Sequence, residues 1–239
     1  MRKISLLVII MLLIGSQSVN AQVKAFRFGF SIAPSVSWMN SSTENYESAG
    51  SSGAFSWGFI SDIALTDNYF IKTGLGMDFL GGNLDFQEEY AYTPQGMQDT
   101  TLRADVERHY STKYLEIPLL IKMKTNQFGK LAYFGEFGVE TGFRLSAKAT
   151  DRVKLLTEGN NDVFDYTKNL VEEKEVNFIK ESLVFAAGVE YSIDESTSLI
   201  GGLKFSNGIT DILKGDNNIS GKEKNAMIHY FQFTIGVMF

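Results

Sequence analysis

The chain has 239 residues, a formal charge of −6 and no cysteine; glycine (22), phenylalanine (19) and tyrosine (10) are abundant, and proline (3) is scarce. An acidic chain is a poor candidate for nucleic-acid binding, and without cysteine it has neither a disulfide nor a lipidated cysteine anchor. Beyond its N-terminal segment it has no run of 18 or more apolar residues, which excludes helical membrane spans.

Arg2 and Lys3 precede an apolar run from Ile4 to Ile14, then Gly15-Ser16-Gln17-Ser18 and Val19-Asn20-Ala21. A basic start, a short apolar run and small residues at its end make a secretory signal, with cleavage expected after Ala21. The run is shorter than the ~20 residues a helix needs to cross a bilayer. Residues 1–21 are therefore expected to be a signal peptide and residues 22–239 the exported domain. Loss of Arg2 and Lys3 takes the formal charge from −6 to −8.

Ala25 to Trp38 alternates. Phe26, Phe28, Phe30, Ile32, Val36 and Trp38 share one face, and Arg27, Gly29, Ser31, Ala33, Ser35 and Ser37 the other, as in a β-strand. Asn40 to Ser52 is polar and Ser-rich, a loop. A second strand sets Phe55, Trp57, Phe59, Ile63 and Leu65 against Ser56, Gly58, Asp62 and Ala64, and ends in the turn Thr66-Asp67-Asn68. The third, Tyr69 to about Leu84, sets Ile71, Thr73, Leu75, Met77 and Phe79 against Lys72, Gly74, Gly76 and Asp78. Asp85 to Arg108 reads as a long charged loop.

The fourth strand, His109 to Lys124, sets Leu115, Ile117, Leu119, Ile121 and Met123 against Glu116, Lys122 and Lys124, and Thr125 to Lys130 is a short turn. The fifth, Leu131 to Lys148, sets Tyr133, Phe137, Val139, Phe143 and Leu145 against Phe134, Glu136, Glu140 and Arg144. Ala149 to Val176 reads as the longest loop, with a stretch compatible with a short helix from Asn161 to Glu175. The sixth strand, Asn177 to Ser192, has Lys180, Ser182 and Glu190 on its polar face, and a turn at Ile193 to Ser196 leads into the seventh, Thr197 to Asp211, with Lys204 and Ser206. Ile212 to Glu223 is a polar loop. The last strand, His229 to Phe239, carries Phe231, Phe233, Ile235, Val237 and Phe239 on one face.

Connections thus alternate long and short along the chain, as in outer-membrane barrels with long external loops and short periplasmic turns. The expected fold of residues 22–239 is all-β: an outer-membrane β-barrel domain of a Gram-negative envelope, an eight-stranded antiparallel up-and-down transmembrane β-barrel with both mature termini periplasmic. A soluble lipocalin-like barrel or sandwich has no reason to alternate its loop lengths. Phe231, Phe233, Ile235, Val237 and Phe239 are the expected barrel-assembly signal.

The segment Tyr114-Leu115-Glu116-Ile117-Pro118-Leu119-Leu120-Ile121-Lys122 resembles the YLEIPLLLK strand of PorT-like outer-membrane β-barrel proteins. Gly138 to Lys148 is similar to the strand those proteins carry next. Gly188-Val189-Glu190-Tyr191 and Gly208-Ile209-Thr210-Asp211 are also similar to the family pattern. The resemblance covers nearly the whole expected mature chain, and the fourth-strand motif is its most specific part. It implies an eight-stranded outer-membrane barrel. PorT itself is associated with type IX secretion and gliding, so an accessory role in secretion is what the resemblance implies.

The alternation assigns twelve charges to the lumen: Arg27, Lys72, Lys122, Lys124, Arg144 and Lys204, and Asp62, Asp78, Glu116, Glu136, Glu140 and Glu190. An eight-stranded barrel is just wide enough for side chains to fill, so these are expected to pair, with Glu116, Glu136 and Glu140 facing Lys122 and Arg144. Pro118 lacks an N–H and marks a bulge or a missing ladder bond. Trp38, Trp57, Phe79, Phe143 and Phe178 form one expected aromatic belt, and Phe26, Tyr69, Tyr133, Tyr191 and Phe239 the other.

His109 and Ser111 lie two apart on one strand face, with Glu107 nearby. Some outer-membrane lipid A deacylases place His and Ser this way, but a Ser-His-acid site is a geometric claim. His229 is the only other histidine, which makes no metal motif. No catalytic residue, cofactor or metal is assigned. Expected partners are outer-membrane lipid and lipopolysaccharide, the barrel-assembly machinery and other envelope proteins. The expected role is structural or partner-binding at the cell surface. A secretion accessory, a narrow pore and a lipid-modifying enzyme are the alternatives.

Overall fold

The alternating segments pair into one closed sheet. The computed structural model describes residues 26–92, 100–155, 165–170 and 175–239; the expected signal peptide lies outside the described residues. Among these, ten strands occur: β1 (Phe26–Asn40), β2 (Tyr46–Ser48), β3 (Ser51–Ala64), β4 (Tyr69–Tyr92), β5 (Thr100–Lys124), β6 (Leu131–Leu155), β7 (Asp165–Leu170), β8 (Ile179–Ser192), β9 (Ser198–Gly208) and β10 (Met227–Met238). Eight of them form an antiparallel ring in the order β1-β3-β4-β5-β6-β8-β9-β10. The ring closes where β10 pairs with β1, from Gly29↔Met238 to Asn40↔Met227. Phe28 and Phe239 exchange backbone hydrogen bonds of 3.3 and 2.7 Å, which places both chain ends at one end of the barrel. A closed ring leaves no unpaired strand edge.

The outward face is a band of lipid-like side chains. Phe28, Phe59, Leu75, Leu119, Phe137, Phe185, Leu203 and Phe233 are all exposed. Pro118 keeps its full register with β6, but the β4–β5 ladder lapses between Lys72↔Leu120 and Gly76↔Glu116, as a residue without an N–H requires.

Where they are described, the stretches read as loops at Asp85–Arg108 and Ala149–Val176 are largely sheet. β4, β5 and β6 run on for 24, 25 and 25 residues. β4 and β5 stay paired as far as Tyr92↔Thr100, and β5 and β6 as far as Ala104↔Leu155. β2 pairs with β4 opposite Leu84 to Phe86, and β7 pairs with β6 from Asp165↔Lys154 to Leu170↔Ala149. The expected helix at Asn161–Glu175 is therefore corrected: 165–170 is a strand. The three long strands reach about ten residues past their neighbours, roughly 30 Å at the rise of a β-strand.

The sense of the alternation inverts at this far end. On β4 the outward residues change from Leu75, Met77 and Phe79 to Asn83, Asp85 and Gln87, while the inward ones change from Lys72 and Asp78 to Leu80, Leu84 and Phe86. On β5 the outward series changes from Ile117 and Leu115 to Lys113, Ser111 and His109. Outward charge is what gave these stretches the look of loops. A β-bulge shifts the β5–β6 register between Lys113 and Tyr114, with Tyr114↔Arg144 followed by Lys113↔Ser146. The extra residue, Leu145, turns the odd positions Ala147, Ala149, Asp151 and Val153 inward, a parity switch of the kind bulges provide.

The inward face of this extension is an apolar core. Tyr46, Leu80, Leu84, Phe86, Val106, Tyr110, Ala149 and Val153 pack with Val176, Ile212, Leu213 and Ala226 from the connections on either side of β8 and β9. The backbone ties these connections together: Asn177 N–H donates to Ile212 O (2.7 Å), Ile212 N–H to Ala226 O (2.7 Å) and Lys214 N–H to Glu175 O (3.0 Å). The extension and its packed connections form a cap over one barrel mouth.

Leu84 is fully buried in the cap, whereas Leu119 is 58% exposed on the band. Leu84→Ala is expected to cost about 2–5 kcal/mol, the usual range for emptying a core site. Leu119→Ala is expected to cost far less, because lipid repacks around it. Denaturant midpoints of the two variants check the difference.

Candidate functional site

The lumen holds two ion networks. Near the chain ends, the Arg27 guanidinium donates to Asp62 (2.8 Å) and to both oxygens of Glu190 (3.0 and 3.2 Å). Lys122 donates to Asp62 (2.8 Å) and Glu190 (2.5 Å), and Lys124 to Glu190 (2.5 Å). Lys72 donates to both oxygens of Glu136 at 2.8 Å. Deeper in, Lys204 donates to Glu140 (2.7 Å) and Glu116 (3.2 Å), and Lys180 to Glu116 (3.3 Å) with Asp78 at 3.9 Å. The Tyr230 hydroxyl lies within reach of Glu116 (2.8 Å), Asp78 (3.4 Å) and Glu140, and the Ser206 hydroxyl donates to Glu140 (2.5 Å). Charge-assisted bonds of this kind are the strong ones.

Eleven of the twelve lumen charges read from the alternation thus stand in ion pairs. The partners differ from those expected. Lys122 reaches across the lumen to Asp62 and Glu190, and Glu116 and Glu140 take Lys180 and Lys204. Pairing follows distance across the barrel interior, whereas the sequence offered only neighbours along adjacent strands.

Arg144 is a correction. It forms no ion pair among the described residues, and its Nε is buried without a hydrogen bond. It stands opposite Tyr114 at the last paired position before the bulge, where the lumen gives way to the cap. Lys180, placed by parity on the polar face of its strand, belongs with the lumen charges although it was not counted among them; Tyr230, also at an inward position, was missed because it looked like one more aromatic. Gly142 explains how Lys180 fits: a Cβ there would sit 2.8 Å from its Cε. Between the two networks, Lys72, Asp78, Glu116, Glu136, Lys204 and Gln232 line a cavity of about 80 Å³, room for a few waters. Past Tyr230 and Tyr114, both fully buried, the apolar core of the cap begins.

The cap has its own buried ion cluster. Arg108 is 4% exposed and forks onto Asp151 with bonds of 2.6 and 2.8 Å, with a third bond to Glu175 (3.2 Å) and its guanidinium 5.1 Å from the Phe86 ring. Burial works against the Arg108 charge, but the bonds to Asp151 more than offset it and hold the guanidinium ionised. Lys224 donates to Glu88 (3.0 Å) and stands 3.6 Å from Glu175. Asn217 donates to the Tyr46 hydroxyl (3.1 Å) and to Gln87 O (3.0 Å). The connection between β9 and β10 is thereby fastened to the extended sheet.

On the outward side of the cap, Glu47, Asp85, Glu107 and Arg152 form one cross-strand row. Asn45, Gln87, Asp105 and Lys154 join them around a groove of about 480 Å³. Burial, followed by repulsion from Glu107 and Glu47, raises the Asp85 carboxyl above its ordinary value. The described residues contain no group of three or more His, Cys, Asp or Glu side chains placed to hold a metal.

The pairing of His109 with Ser111 and Glu107 is not assembled. His109 Nδ1 shares a 2.6 Å hydrogen bond with Asn83 Oδ1, and Glu107 accepts from Arg152 (3.1 Å). His229 lies against Trp38 at 5.8 Å, and Trp38 packs on Phe231 at 5.9 Å. Phe143 and Phe178 meet at 6.0 Å. Of the terminal-strand residues, Phe231, Phe233, Ile235 and Phe239 are exposed and Val237 is half-buried, all on the lipid-like face.

A sheet closed by hydrogen bonds, apolar outside and charged inside, is a membrane barrel turned to lipid. Residues 16–214 match the family model described as "Outer membrane protein beta-barrel domain". The chain belongs to this family. Its place is the outer membrane. No curated protein matches the chain by sequence. Among solved structures it is similar to Neisserial surface protein A, at 12% identity, with 91% of this chain and 98% of that one covered and a TM-score of 0.39. It is also similar to OprG from Pseudomonas aeruginosa (12%, 90% and 95%, 0.43) and to Ail of Yersinia pestis (11%, 89% and 98%, 0.34).

The lumen of the barrel makes a sharp comparison. Lys122→Met strips buried Asp62 and Glu190 of a cation and is expected to cost about 3–5 kcal/mol. Arg144→Met breaks no ion pair and is expected to leave the unfolding midpoint in denaturant nearly unchanged. In the cap, NMR titration should show the Asp85 carboxyl ionising above the ordinary aspartate range. Glu107→Gln should bring that titration down only part of the way, because it removes one repelling charge while burial, the larger cause, remains.

Proposed function

We propose that the barrel is exported by a signal peptide cut after Ala21, folds with both termini periplasmic, and binds an envelope partner at the cell surface through its cap. The observation that carries this reading is the asymmetry of the two ends. Among the described residues, one end has only the turns at Thr66–Asn68, Thr125–Lys130 and Ile193–Ser196. The other projects a sheet whose outward face is polar and whose inward face is a packed core. A rigid projecting sheet loses little entropy on binding, and connecting segments of a barrel are where function usually sits.

The terminal strand, with Phe231, Phe233, Ile235, Val237 and Phe239 on one face, supplies the signal for the barrel-assembly machinery. Paired lumen charges and the apolar cap support a plugged barrel over a narrow pore. The missing Ser111–His109 hydrogen bond weighs against a lipid-modifying enzyme. Resemblance of residues 114–122 to the PorT-like strand supports a second reading, an accessory of a type IX-like secretion machine, in which the cap's partner is a component of that machine.

The chain has no native cysteine, so single cysteines report topology directly. Arg152→Cys should react with an impermeant maleimide on intact cells, and Asn126→Cys only after the outer membrane is opened; the reverse pattern overturns the orientation. Affinity capture from detergent-solubilised outer membrane should recover a stoichiometric partner, whose identity decides between the two readings. Glu47→Lys with Asp105→Lys should lose it. Capture of nothing beyond a control barrel overturns the partner-binding role.

A further inference from the structure

On the outward face of β5 and β6, the lipid-like band gives way to two lysines. Lys113 follows Leu115 on β5, and Lys148 follows the Leu145 bulge on β6; both are exposed. Lys148 stands opposite Ser111, one rung beyond the Lys113↔Ser146 pair. Diagonal neighbours of this kind lie roughly 7–8 Å apart. The Lys113 ammonium lies 5.4 Å from the centre of the Phe79 ring, at the upper edge of the band. Ser111, Ser146, His109 and Asn83 surround the pair with hydroxyl, imidazole and amide groups.

Neither lysine forms an ion pair among the described residues, although most other buried or clustered cations here do. The nearest outward carboxylate farther along β5 is Glu107, already engaged by Arg152. It lies four residues past Ser111, about 13 Å away along the strand, beyond the screening length of about 8 Å at physiological salt. Two lysines without an ion pair among the described residues therefore stand on neighbouring strands just where the lipid-facing surface ends, Lys113 reaching over Phe79 on β4 and Lys148 on β6 standing beside Ser111. Basic groups at such a border attract anionic headgroups.

We propose that Lys113 and Lys148 seat the phosphate groups of an outer-leaflet glycolipid, with Ser111 and Ser146 as hydroxyl donors beside them. The occupant is fixed by two features. The surface below the pair is continuous with the acyl-chain-facing band, so a headgroup whose chains lie on Leu115, Leu145 and Phe143 arrives at this height. The charge is positive and without a counter-ion among the described residues. The proposal rests on the reading that the cap end faces outward.

Binding of lipid A to the whole barrel in detergent tests it. Lys113→Ala with Lys148→Ala should weaken lipid A binding by on the order of tenfold or more at low salt. The arginine pair, Lys113→Arg with Lys148→Arg, should retain binding. Lys130→Ala, an exposed lysine at the opposite end, should change nothing. Both alanine sites are exposed, so a heat-modifiable gel shift like that of the parent confirms that the variant is folded. Lipid A stripped of phosphate should bind the parent barrel as weakly as intact lipid A binds the double variant. Undiminished lipid A binding by the double variant overturns the proposal. Competition by inorganic phosphate at the affinity of lipid A also overturns it, since the pair would then be a general anion site. A preference for anionic glycerophospholipid over lipid A overturns the outer-leaflet occupant. Detergent binding does not depend on orientation, so reversed cysteine labelling on cells would sink the topology while leaving this measurement independently readable.

Discussion

Every long strand of the barrel has to satisfy two surroundings in turn. Along one stretch its outward side chains meet lipid, and along the next they meet water. A β-strand has only one way to answer, since its side chains alternate strictly between faces. When the outside turns from apolar to polar, the inside must turn the other way. β4 does this between Phe79 and Asn83, β5 between Leu115 and Lys113, and β6 at the Leu145 bulge. The ion networks lie on the lipid side of that level and the apolar core of the cap on the other. Both follow from the change of surroundings: where the exterior carries the apolar surface the interior is filled by charged rows, and where the exterior is polar the interior is mainly apolar, with the Arg108–Asp151 cluster set into it.

This also explains which parts of the fold were legible in the sequence. Phe59, Leu75, Leu119 and Phe233 stand at alternate positions beside Ser, Gly, Lys and Glu, so the band and the lumen were readable from period alone. Beyond Phe79 the period continues unbroken through Asp85, Gln87 and Glu89, but the apolar residues have moved to the even positions Leu84 and Phe86. Charge density was taken for a loop because the sense of the alternation, not its presence, had changed. The bulge was invisible for a different reason. One extra residue at Leu145 costs the sequence nothing and shows no special residue type, yet it reverses the facing of everything after it. Arg144, the last paired residue before it, keeps its inward facing opposite Tyr114 but ends outside the ion networks.

Lumen pairings show a second limit. Parity assigns a side chain to the interior but says nothing about which wall it reaches. Arg27 and Glu190 are 163 positions apart in the chain and still share two hydrogen bonds. Such contacts depend on barrel diameter and strand stagger, which are properties of the closed sheet. Tyr230 is the instructive omission. Its ring fits the aromatic bias of the chain, but its hydroxyl stands among three carboxylates and helps fill an interior that would otherwise leave acceptors without donors.

The cap ties function to this architecture. Asn217 and Lys224 fasten the β9–β10 connection to β2 and β4, while Arg108 fastens β5 to β6 and to Glu175. Connections that would otherwise be separate loops share one buried core with three barrel strands. Any surface they offer is therefore held by the barrel and not ordered only on contact, which lowers the entropy that a partner has to overcome. The same coupling separates two outward surfaces on one sheet. The row Glu47, Asp85 and Glu107 is acidic and stands well above the band. Lys113 and Lys148 are basic and stand at its edge. The two sets of charge are separated by more than the screening length at physiological salt, so neither weakens the pull of the other on an ion of opposite sign. On the proposed reading, the order of charge along β5 offers an anionic headgroup the rim and a cationic partner the projecting part of the sheet, each without competition from the other.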